Sequence, residues 1–315
     1  MPGVWAFTPQ HEGMALTTPA RLSGAAFGTL LLIAFMMGAN HVAARTAFNH
    51  GLDVVTAVTV RSVITATVVA LILWQQKVAF RVLPGQRKYL GAVGLLIAVQ
   101  SVCLYSAVAR LPVALALLAF NTYPLTTALW ARILYGHQPE RAVLWAMPVM
   151  MAGLALALDV LGAASGLGAA RHWAEIGAGV GFALAASATF GLALVLTQHE
   201  TVGVDGRLRT FTTMATVGVL AASVALTQGG FQWPQAVPGW WGLGLLTFLY
   251  GTAFTIMFTV LPKLGVVGNS AIMNVEPIFA LVLAWALLGQ AIAPMQLLGA
   301  AVVVATVMWL GLRKP

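Results

Sequence analysis

The sequence contains very few charged residues for its length. Asp, Glu, Lys and Arg make up 8% of its 315 residues, whereas hydrophobic residues make up 60%. Soluble domains have about a quarter charged residues, and so few charges cannot cover a surface that faces water. The composition therefore excludes an ordinary soluble domain. The single cysteine, Cys103, excludes a disulfide within the chain.

The sequence also lacks a complete catalytic or cofactor motif. His199-Glu200 begins like a zinc-protease motif, but Gly203 occupies the position of the second ligand. The glycine-rich segment 177–181 follows no predicted strand, and no phosphate-binding loop with its lysine is present. We therefore predict no catalytic residue, no metal site, no cofactor, no enzymatic activity and no ATP-driven pumping by this chain alone.

Long apolar runs are abundant instead. A helix needs about 20 apolar residues to cross the hydrocarbon core of a bilayer. The sequence contains ten such runs, which cover approximately residues 23–47, 54–76, 88–109, 112–134, 141–160, 175–197, 209–228, 239–261, 266–288 and 293–312. We predict an all-α integral membrane protein with ten transmembrane helices, for which the lipid bilayer is the first partner.

The basic residues lie mostly between these runs and predict the topology. The net charge is +8, which in a soluble protein would suggest nucleic acid, but here we predict no nucleic-acid partner. Twelve of the sixteen Lys and Arg residues fall on one side of ten spans, and the other four are Arg45, Arg61, Arg110 and Arg171. The positive-inside rule then places both termini in the cytoplasm.

The chain contains an internal repeat. Asn121-Thr-Tyr-Pro124 recurs 153 positions later as Asn274-Val-Glu-Pro277, and the same offset aligns Gly38 with Gly191 and Tyr105 with Phe258. Five spans in each repeat is an odd number, so the second repeat is predicted to be inverted and to enclose a central cavity with the first. The predicted segments are a cytoplasmic tail 1–22, a first repeat 23–160, a periplasmic connector 161–174, a second repeat 175–312 and a cytoplasmic tail 313–315.

These motifs resemble those of a known family. Residues 274–289 with 293–299, residues 121–136 with Glu140, and Gly38 to Arg45 with the later Arg61 are similar to signatures of EamA-type carriers in the drug/metabolite transporter superfamily. The resemblance implies a ten-helix inverted-repeat carrier that moves small metabolites, often amino acids outward, without ATP. Gln290 stands where the family usually has Glu, a difference expected to leave the fold unchanged.

Two prolines predict broken helices near the middle of spans four and nine. Pro124 and Pro277 each remove a helical hydrogen bond and free the carbonyl four residues earlier. Irregular backbone within a membrane gathers around cavities. Asn121 and Asn274 precede the two prolines by three residues and are candidates for binding substrate. Alternatively, they only satisfy the freed carbonyls or hold helices together.

Glu276 is the sharpest candidate for a functional residue. Placing an acidic side chain near the bilayer centre costs on the order of 2.5–3.5 kcal/mol, so a partner or a function must offset it. We hypothesise that Glu276 lines the cavity and binds a substrate amino group or carries a coupling proton. The alternative is a glutamate that only packs between helices through hydrogen bonds.

Further substrate-binding candidates are Asn40, His41, Arg61, Tyr105 and Tyr123. Histidine changes charge near physiological pH, so His41 is a candidate for a cavity wall or a proton site. Arg61 lies deep in span two and either pairs with a substrate carboxylate or holds a helix interface. The tyrosines present hydroxyl groups within an apolar bundle, where they line a cavity or pack in the core.

The predicted function is secondary active transport of small metabolites, with export of amino acids across the bacterial inner membrane by alternating access. The alternatives within carriers are export of hydrophobic drugs and transport of a nucleotide sugar or sugar phosphate. A passive pore is the non-carrier alternative. The predicted partners are a small-molecule substrate, an amino acid in the first instance, and a coupling proton. The chain is expected to be a monomer or a weak homodimer.

Overall fold

A computed structural model describes residues 24–78, 82–137, 141–159, 161, 169–259 and 275–312. Residues 260–274, which include Asn274, lie outside the described residues. Within the described residues the chain forms eleven helices and no strand, which confirms the all-helical architecture. The helices are α1 Gly24–Asn49, α2 Val54–Gln75, α3 Pro84–Arg110, α4 Val113–Phe120, α5 Tyr123–Tyr135, α6 Arg141–Ala157, α7 Ala169–Glu200, α8 Gly206–Thr227, α9 Val237–Thr259, α10 Glu276–Leu288 and α11 Pro294–Leu312.

Seven segments are long and apolar enough to cross a membrane, within the part of the chain that is described. They are α1, α2, α3, α4 with α5, α7, α8 and α9, while α6, α10 and α11 contain shorter apolar stretches. Each of the ten apolar runs found in the sequence overlaps at least one of these helices. The prediction of a multi-pass membrane protein agrees with this arrangement.

The helices of the second half repeat those of the first. The starts of α3, α5 and α6 recur 153 positions later as the starts of α9, α10 and α11, at Pro84 and Val237, Tyr123 and Glu276, and Arg141 and Pro294. α5 and α10 both end at a glycine in the left-handed conformation, Gly136 with φ 68° and Gly289 with φ 64°. Glycine adopts this conformation without a steric penalty, so the repeated glycines end both helices in the same way.

Side chains of aspartate begin two equivalent helices. Asp53 accepts hydrogen bonds from the backbone of Val55 and Thr56 at the start of α2, at 3.1 and 3.3 Å. Asp205 accepts one from the backbone of Arg207 at the start of α8, at 2.8 Å. An aspartate in this position satisfies N–H groups that have no partner within the helix and stabilises it by about 1 kcal/mol.

One helix begins earlier than the sequence suggests. α7 starts at Ala169, within the stretch predicted to be a connector. His172 is buried, and its Nε2 lies 2.9 Å from the carbonyl oxygen of Leu158 at the end of α6. This contact lets the polar residues before the apolar run continue the helix against α6.

The two halves pack against each other reciprocally. α1 packs on α9 as its equivalent α7 packs on α3, and α1 packs on α10 as α7 packs on α5. The helices α2 and α6 each pack on their own equivalents, α8 and α11. Such a pattern is that of a pseudo-two-fold arrangement of two similar units.

Two equivalent glycines allow close contacts between the halves. A Cβ atom on Gly38 of α1 would lie 3.0 Å from the backbone oxygen of Glu276. A Cβ atom on Gly191 of α7 would lie 2.8 Å from the backbone nitrogen of Thr127 in α5. α1 therefore approaches α10, and α7 approaches α5, at a distance that glycine allows and larger residues do not.

The ends of the bundle differ in charge and packing. At one end, Gln86 in α3 donates to the carbonyl of Val202 after α7 at 2.8 Å, and Arg207 in α8 donates to Gln76 after α2. We call this the basic end, because it carries Lys77, Arg87, Lys88, Arg207 and Arg209. Towards the opposite end the space between the halves is filled by the largest apolar cluster, which includes most of α4 and the last turns of α3.

Candidate functional site: a central cavity

A cavity of about 320 Å³ lies between the two halves. It is large enough for a small metabolite, since ligand pockets usually measure about 300–1,000 Å³. Side chains from both halves line it, namely Met37, His41, Arg61, Val93, Ile97, Gln100, Leu104, Phe120, Asn121, Tyr123, Phe190, Leu194, Thr197, Arg209, Thr210, Thr213, Met214, Tyr250, Phe254, Met257 and Glu276. The cavity extends towards the basic end, because Val93, Thr197 and Arg209 lie near the ends of their helices there.

The break in the fourth span forms part of the wall. α4 ends at Phe120 and α5 begins at Tyr123, with Pro124 in its first turn. The side-chain amide of Asn121 donates to the carbonyl of Leu117 at 2.8 Å. The Thr122 hydroxyl bonds the carbonyl of Ala119 at 2.8 Å. The side chains of Asn121 and Thr122 therefore bond carbonyls in the last turn of α4, whereas the carbonyl that Pro124 frees is that of Phe120.

A histidine and a glutamate from different halves meet at the cavity. His41 Nε2 lies 3.2 Å from Glu276 Oε1, and the two side chains are 2% and 18% exposed. Glu276 is the first residue of α10, and the positive end of a helix dipole stabilises a carboxylate there. His41 Nδ1 is buried and has no hydrogen-bond partner among the described residues. The pair therefore joins a side chain of the first half to a side chain of the second half at the wall of the cavity.

An arginine is held beside this pair by two aromatic rings. The Arg61 guanidinium lies 4.4 Å from the ring centre of Tyr105 and 4.0 Å from that of Tyr250. Arg61 also donates to the Tyr105 hydroxyl at 3.2 Å, and this hydroxyl donates to Asn40 Oδ1 at 2.9 Å. The rings and the hydroxyl stabilise a guanidinium that is only 3% exposed. A cation is thereby fixed in the wall of the cavity.

The opposite wall is aromatic. The rings of Phe120, Tyr123 and Phe190 contact one another with centres 5.1–5.6 Å apart. Met214 and Phe254 add apolar surface on the α8 and α9 side. The cavity therefore has a polar wall with charged groups and a larger apolar wall, which suits an amphipathic ligand.

The structure separates the predicted site residues into three groups. His41, Arg61, Asn121, Tyr123 and Glu276 line the cavity. Asn40 and Tyr105 are buried behind Arg61 and are not among the lining residues. Asn274 lies outside the described residues, and the prolines Pro124 and Pro277 occupy the first turns of α5 and α10.

Some lining residues were not identified from the sequence. Arg209 is one of the twelve basic residues from which the topology is predicted, but it is not among the predicted site residues. Thr210, Thr213 and Tyr250 are not among them either. Arg209, Thr210 and Thr213 lie at i, i+1 and i+4 on one side of an apolar helix. Such spacing places polar groups on one face and is the signal that would have found them. Tyr250 carries no comparable signal, since an aromatic residue in an apolar span usually packs against its neighbours.

Gln290 also has a role that the sequence did not indicate. Its side-chain oxygen accepts a hydrogen bond of 3.0 Å from the backbone N–H of Val113, the first residue of α4. The turn after α10 in the second half therefore caps the broken span of the first half. A glutamate at this position would make the same contact with a negative charge, which a helix N-terminus favours.

Comparison with known proteins supports the architecture. None of the curated proteins matches this sequence, whereas fifteen chains of solved structures do match. One of these, described only as "Crystal structure of protein", is 19% identical, covers 91% of this chain and 98% of its own length, and has a TM-score of 0.59. At this identity the likeness shows the fold alone.

The family comparison covers most of the chain. The model of the EamA-like transporter family matches residues 24–158 and again residues 177–312, one match for each half. The two matches agree with the resemblance found in the sequence motifs. The protein therefore belongs to the EamA-like transporter family of the drug/metabolite transporter superfamily, and it is a multi-pass membrane transporter of small molecules.

Proposed function

We propose that the protein is a secondary active transporter that exports amino acids across the bacterial inner membrane by alternating access. The contact between His41 and Glu276 at the wall of the cavity carries this proposal. Glu276 is the only acidic residue among the described lining residues, so it is the group that binds the amino group of the cargo. The apolar wall around Phe190 accommodates an aliphatic or aromatic side chain.

The proposed topology has ten spans and two inverted repeats. The reciprocal packing of the halves supports the inversion, because a pseudo-two-fold relation between units of five spans reverses their direction in the membrane. The positive-inside rule places the basic end in the cytoplasm together with both termini. The cavity then extends towards the cytoplasm, which is the side from which an exporter loads its cargo.

A proton is the proposed coupling ion. Glu276 contacts His41 in this structure, and a cationic amino group would compete with His41 for the carboxylate. A site that holds either a proton or a cargo cation links the two fluxes, because each must leave before the other binds. Entry of a proton from outside would then drive release of the amino acid.

Export of hydrophobic compounds is a second candidate. The aromatic and methionine side chains that form most of the cavity wall favour it. Such a cargo would not need Glu276 as a binding group. A lipophilic neutral dye that binds to the cavity equally well in wild type and in Glu276→Gln would therefore favour this second function over amino-acid export.

Transport into proteoliposomes tests the proposal. The purified full-length protein is reconstituted, and uptake of a panel of labelled amino acids is measured with and without a pH gradient. We expect uptake above that of empty vesicles, saturation with amino-acid concentration, and acceleration by the gradient. Flux that rises without saturation would indicate a passive pore. Signals equal to those of empty vesicles for the whole panel would refute amino-acid transport.

A further inference from the structure

The charged groups that line the cavity do not balance. Two arginines, Arg61 and Arg209, face it together with one carboxylate, Glu276, within the described part of the chain. A cation removed from water requires a partner that replaces its hydration. Arg61 has such partners in the rings of Tyr105 and Tyr250. Arg209 therefore raises the question of which group is its partner.

Arg209 has no such partner among the described residues. Its guanidinium makes no hydrogen bond, ion pair or ring contact there, although the side chain is half-buried. Asp205, the nearest acid along the chain, is already bound to Arg207 with N and O atoms 2.7 Å apart. Arg207 lies outside the cavity. Two arginines separated by one residue thus differ: Arg207 binds Asp205 directly, whereas Arg209 faces the cavity and is attracted by Asp205 without a direct contact.

The surroundings of Arg209 contain neutral hydrogen-bonding groups. Thr210 and Thr213 lie beside it on α8, and Thr197 of α7 lines the same part of the cavity. The hydroxyl of Thr213 makes no hydrogen bond with any described residue. Thr210 already donates its hydroxyl to the carbonyl of Gly206 at 2.9 Å, which leaves Thr213 as the hydroxyl donor beside Arg209 on α8. A guanidinium with a neighbouring hydroxyl donor matches a carboxylate, which accepts two parallel hydrogen bonds from arginine.

Arg209 lies nearer the basic end than the other charged groups. It precedes Met214 by five residues, which is about 7.5 Å along a helix. The Met214 sulfur lies 3.7 Å from the hydroxyl of Tyr250, and the Tyr250 ring covers Arg61. A ligand that enters from the basic end therefore meets Arg209 first and reaches the level of Arg61 and Glu276 afterwards.

From this arrangement we propose that Arg209, with Thr213, forms a subsite at the entrance of the cavity that binds the carboxylate of the cargo. This inference rests on the proposed function and specifies its substrate class: the preferred cargo carries a carboxylate, and an amine without one is a poor cargo. The carboxylate supplies the direct ion pair that the Arg209 guanidinium makes with no described residue. Arg61 is the next cation along the path when the amino group reaches Glu276.

Binding of matched ligands to the purified full chain tests the subsite. Leucine and leucinamide share the amine and the apolar body, and only leucine has a carboxylate. Calorimetry on the wild type is expected to show tighter binding of leucine. Arg209→Gln should weaken leucine binding about tenfold or more and leave leucinamide unchanged, because a hydrogen bond to a charged group is lost. Arg209→Lys, which keeps the charge, should retain part of the preference.

Arg207→Gln is the matched control, since it removes an arginine two residues away that lies outside the cavity. It should leave binding of both ligands unchanged. Equal weakening of both ligands by Arg209→Gln, or no weakening of either, would overturn the subsite. If Arg209→Gln does not fold, as judged by its elution profile and thermal unfolding, Arg209→Lys decides: a reduced preference for leucine in this variant supports the subsite, because lysine cannot make two parallel hydrogen bonds to a carboxylate. An unchanged preference, or loss of binding to both ligands, overturns it.

Failure of the proposed function is distinguishable from failure of the subsite. If the wild type binds neither leucine nor leucinamide, the proposed amino-acid specificity is wrong. The subsite is then tested with 4-methylpentanoate and 4-methylpentanamide, which lack the amine. Preference for the acid that disappears in Arg209→Gln supports the subsite, and equal affinity of the wild type for the acid and the amide overturns it.

Discussion

The two halves place equivalent backbone positions around the same cavity but fill them with different chemistry. Tyr123 and Glu276, 153 positions apart, are the first residues of α5 and α10. Tyr123 contacts the rings of Phe120 and Phe190, whereas Glu276 contacts His41. One half thus supplies an aromatic group where the other supplies a carboxylate.

The same contrast holds at two further pairs of equivalent residues that line the cavity. His41 of the first half corresponds to Leu194, and Arg61 corresponds to Met214. At these two pairs the first half supplies the imidazole of His41 and the guanidinium of Arg61. The second half supplies the apolar side chains of Leu194 and Met214. The comparison teaches that duplication determines where side chains meet the cavity, while the divergence of the two copies determines what the cavity binds.

Replacing Glu276 and Tyr123, the first residues of α10 and α5, should give the largest effect. Glu276→Gln removes a charge that binds the cargo cation, and we expect the initial rate of transport to fall roughly 10 to 100-fold, the equivalent of about 1.5–3 kcal/mol. The acceleration by a pH gradient should also disappear. Tyr123→Phe, at the equivalent position, loses only a neutral hydroxyl and should lower the rate less than about tenfold. Rates in proteoliposomes with equal protein content measure both.

The comparison would break if the two variants had equal effects. Transport by Glu276→Gln at the wild-type rate, with the same dependence on the pH gradient, would exclude Glu276 as the binding or coupling group. A thermal unfolding curve for each purified variant controls for loss of folded protein.

The two glycine contacts should differ in their tolerance of a methyl group. An added Cβ at Gly191 would lie 2.8 Å from the Thr127 backbone, whereas at Gly38 the nearest atom, the Glu276 backbone oxygen, lies at 3.0 Å. We expect Gly191→Ala to destabilise the protein by about 1–3 kcal/mol through overpacking. The gain in helix propensity of about 1 kcal/mol is the same at both positions, so the looser contact should leave Gly38→Ala with the smaller loss. Thermal unfolding of the two variants in detergent compares their loss of stability. A larger loss for Gly38→Ala than for Gly191→Ala would contradict the prediction.

The cap that links the halves should contribute a moderate amount of stability. Gln290→Ala leaves the N–H of Val113 without its side-chain acceptor, which should cost about 1 kcal/mol. Gln290→Glu keeps the acceptor and adds a favourable charge at the start of α4, so it should be at least as stable as the wild type. Chemical or thermal unfolding of the two variants checks this. A Glu variant that unfolds before the Ala variant would exclude the capping role.

The smallest expected effect concerns the aspartates that cap α2 and α8, Asp53 and Asp205. Among the described residues, Asp205 forms an ion pair with an arginine and Asp53 does not. The Arg207 guanidinium holds the pKa of the Asp205 carboxyl below its usual value. Because the pKa is lower in the folded state, the stabilisation is present above the unfolded pKa of about 3.9 and is lost as the pH falls through the folded pKa. Asp205→Asn should therefore destabilise at pH 7 by less than about 1 kcal/mol, since the pair is partly exposed.

Thermal unfolding of wild type and Asp205→Asn at several pH values measures this difference. The gap between the two proteins should narrow as the pH falls below about 4. Arg207→Gln is the control, because it removes the cause of the shift while it leaves the carboxylate in place. A gap that stays constant with pH would show that the ion pair contributes nothing.

Much of the site could be predicted from the sequence, but its contacts could not. His41 and Glu276 are each a polar residue within an apolar run, and the sequence makes each a candidate for carrying a proton. Their meeting depends on how α1 crosses α10, which Gly38 permits and no local pattern encodes. Tyr105, for which the sequence left open a place at the cavity or packing in the core, lies buried behind Arg61. The reason is that its hydroxyl and ring are used to hold a buried guanidinium.

The sequence by itself determined the solvent, the helices, their repetition and the break in the fourth span. These follow from local properties: the length of apolar runs, the missing N–H of Pro124 and the conformational freedom of Gly136. Only the tertiary structure decided which polar groups face the cavity, such as Arg209, and which bonds cross the molecule, such as that between Gln290 and Val113, 177 residues apart. A helix that is apolar on all sides does not specify its rotation about its own axis, so packing against the other half decides which face meets the cavity.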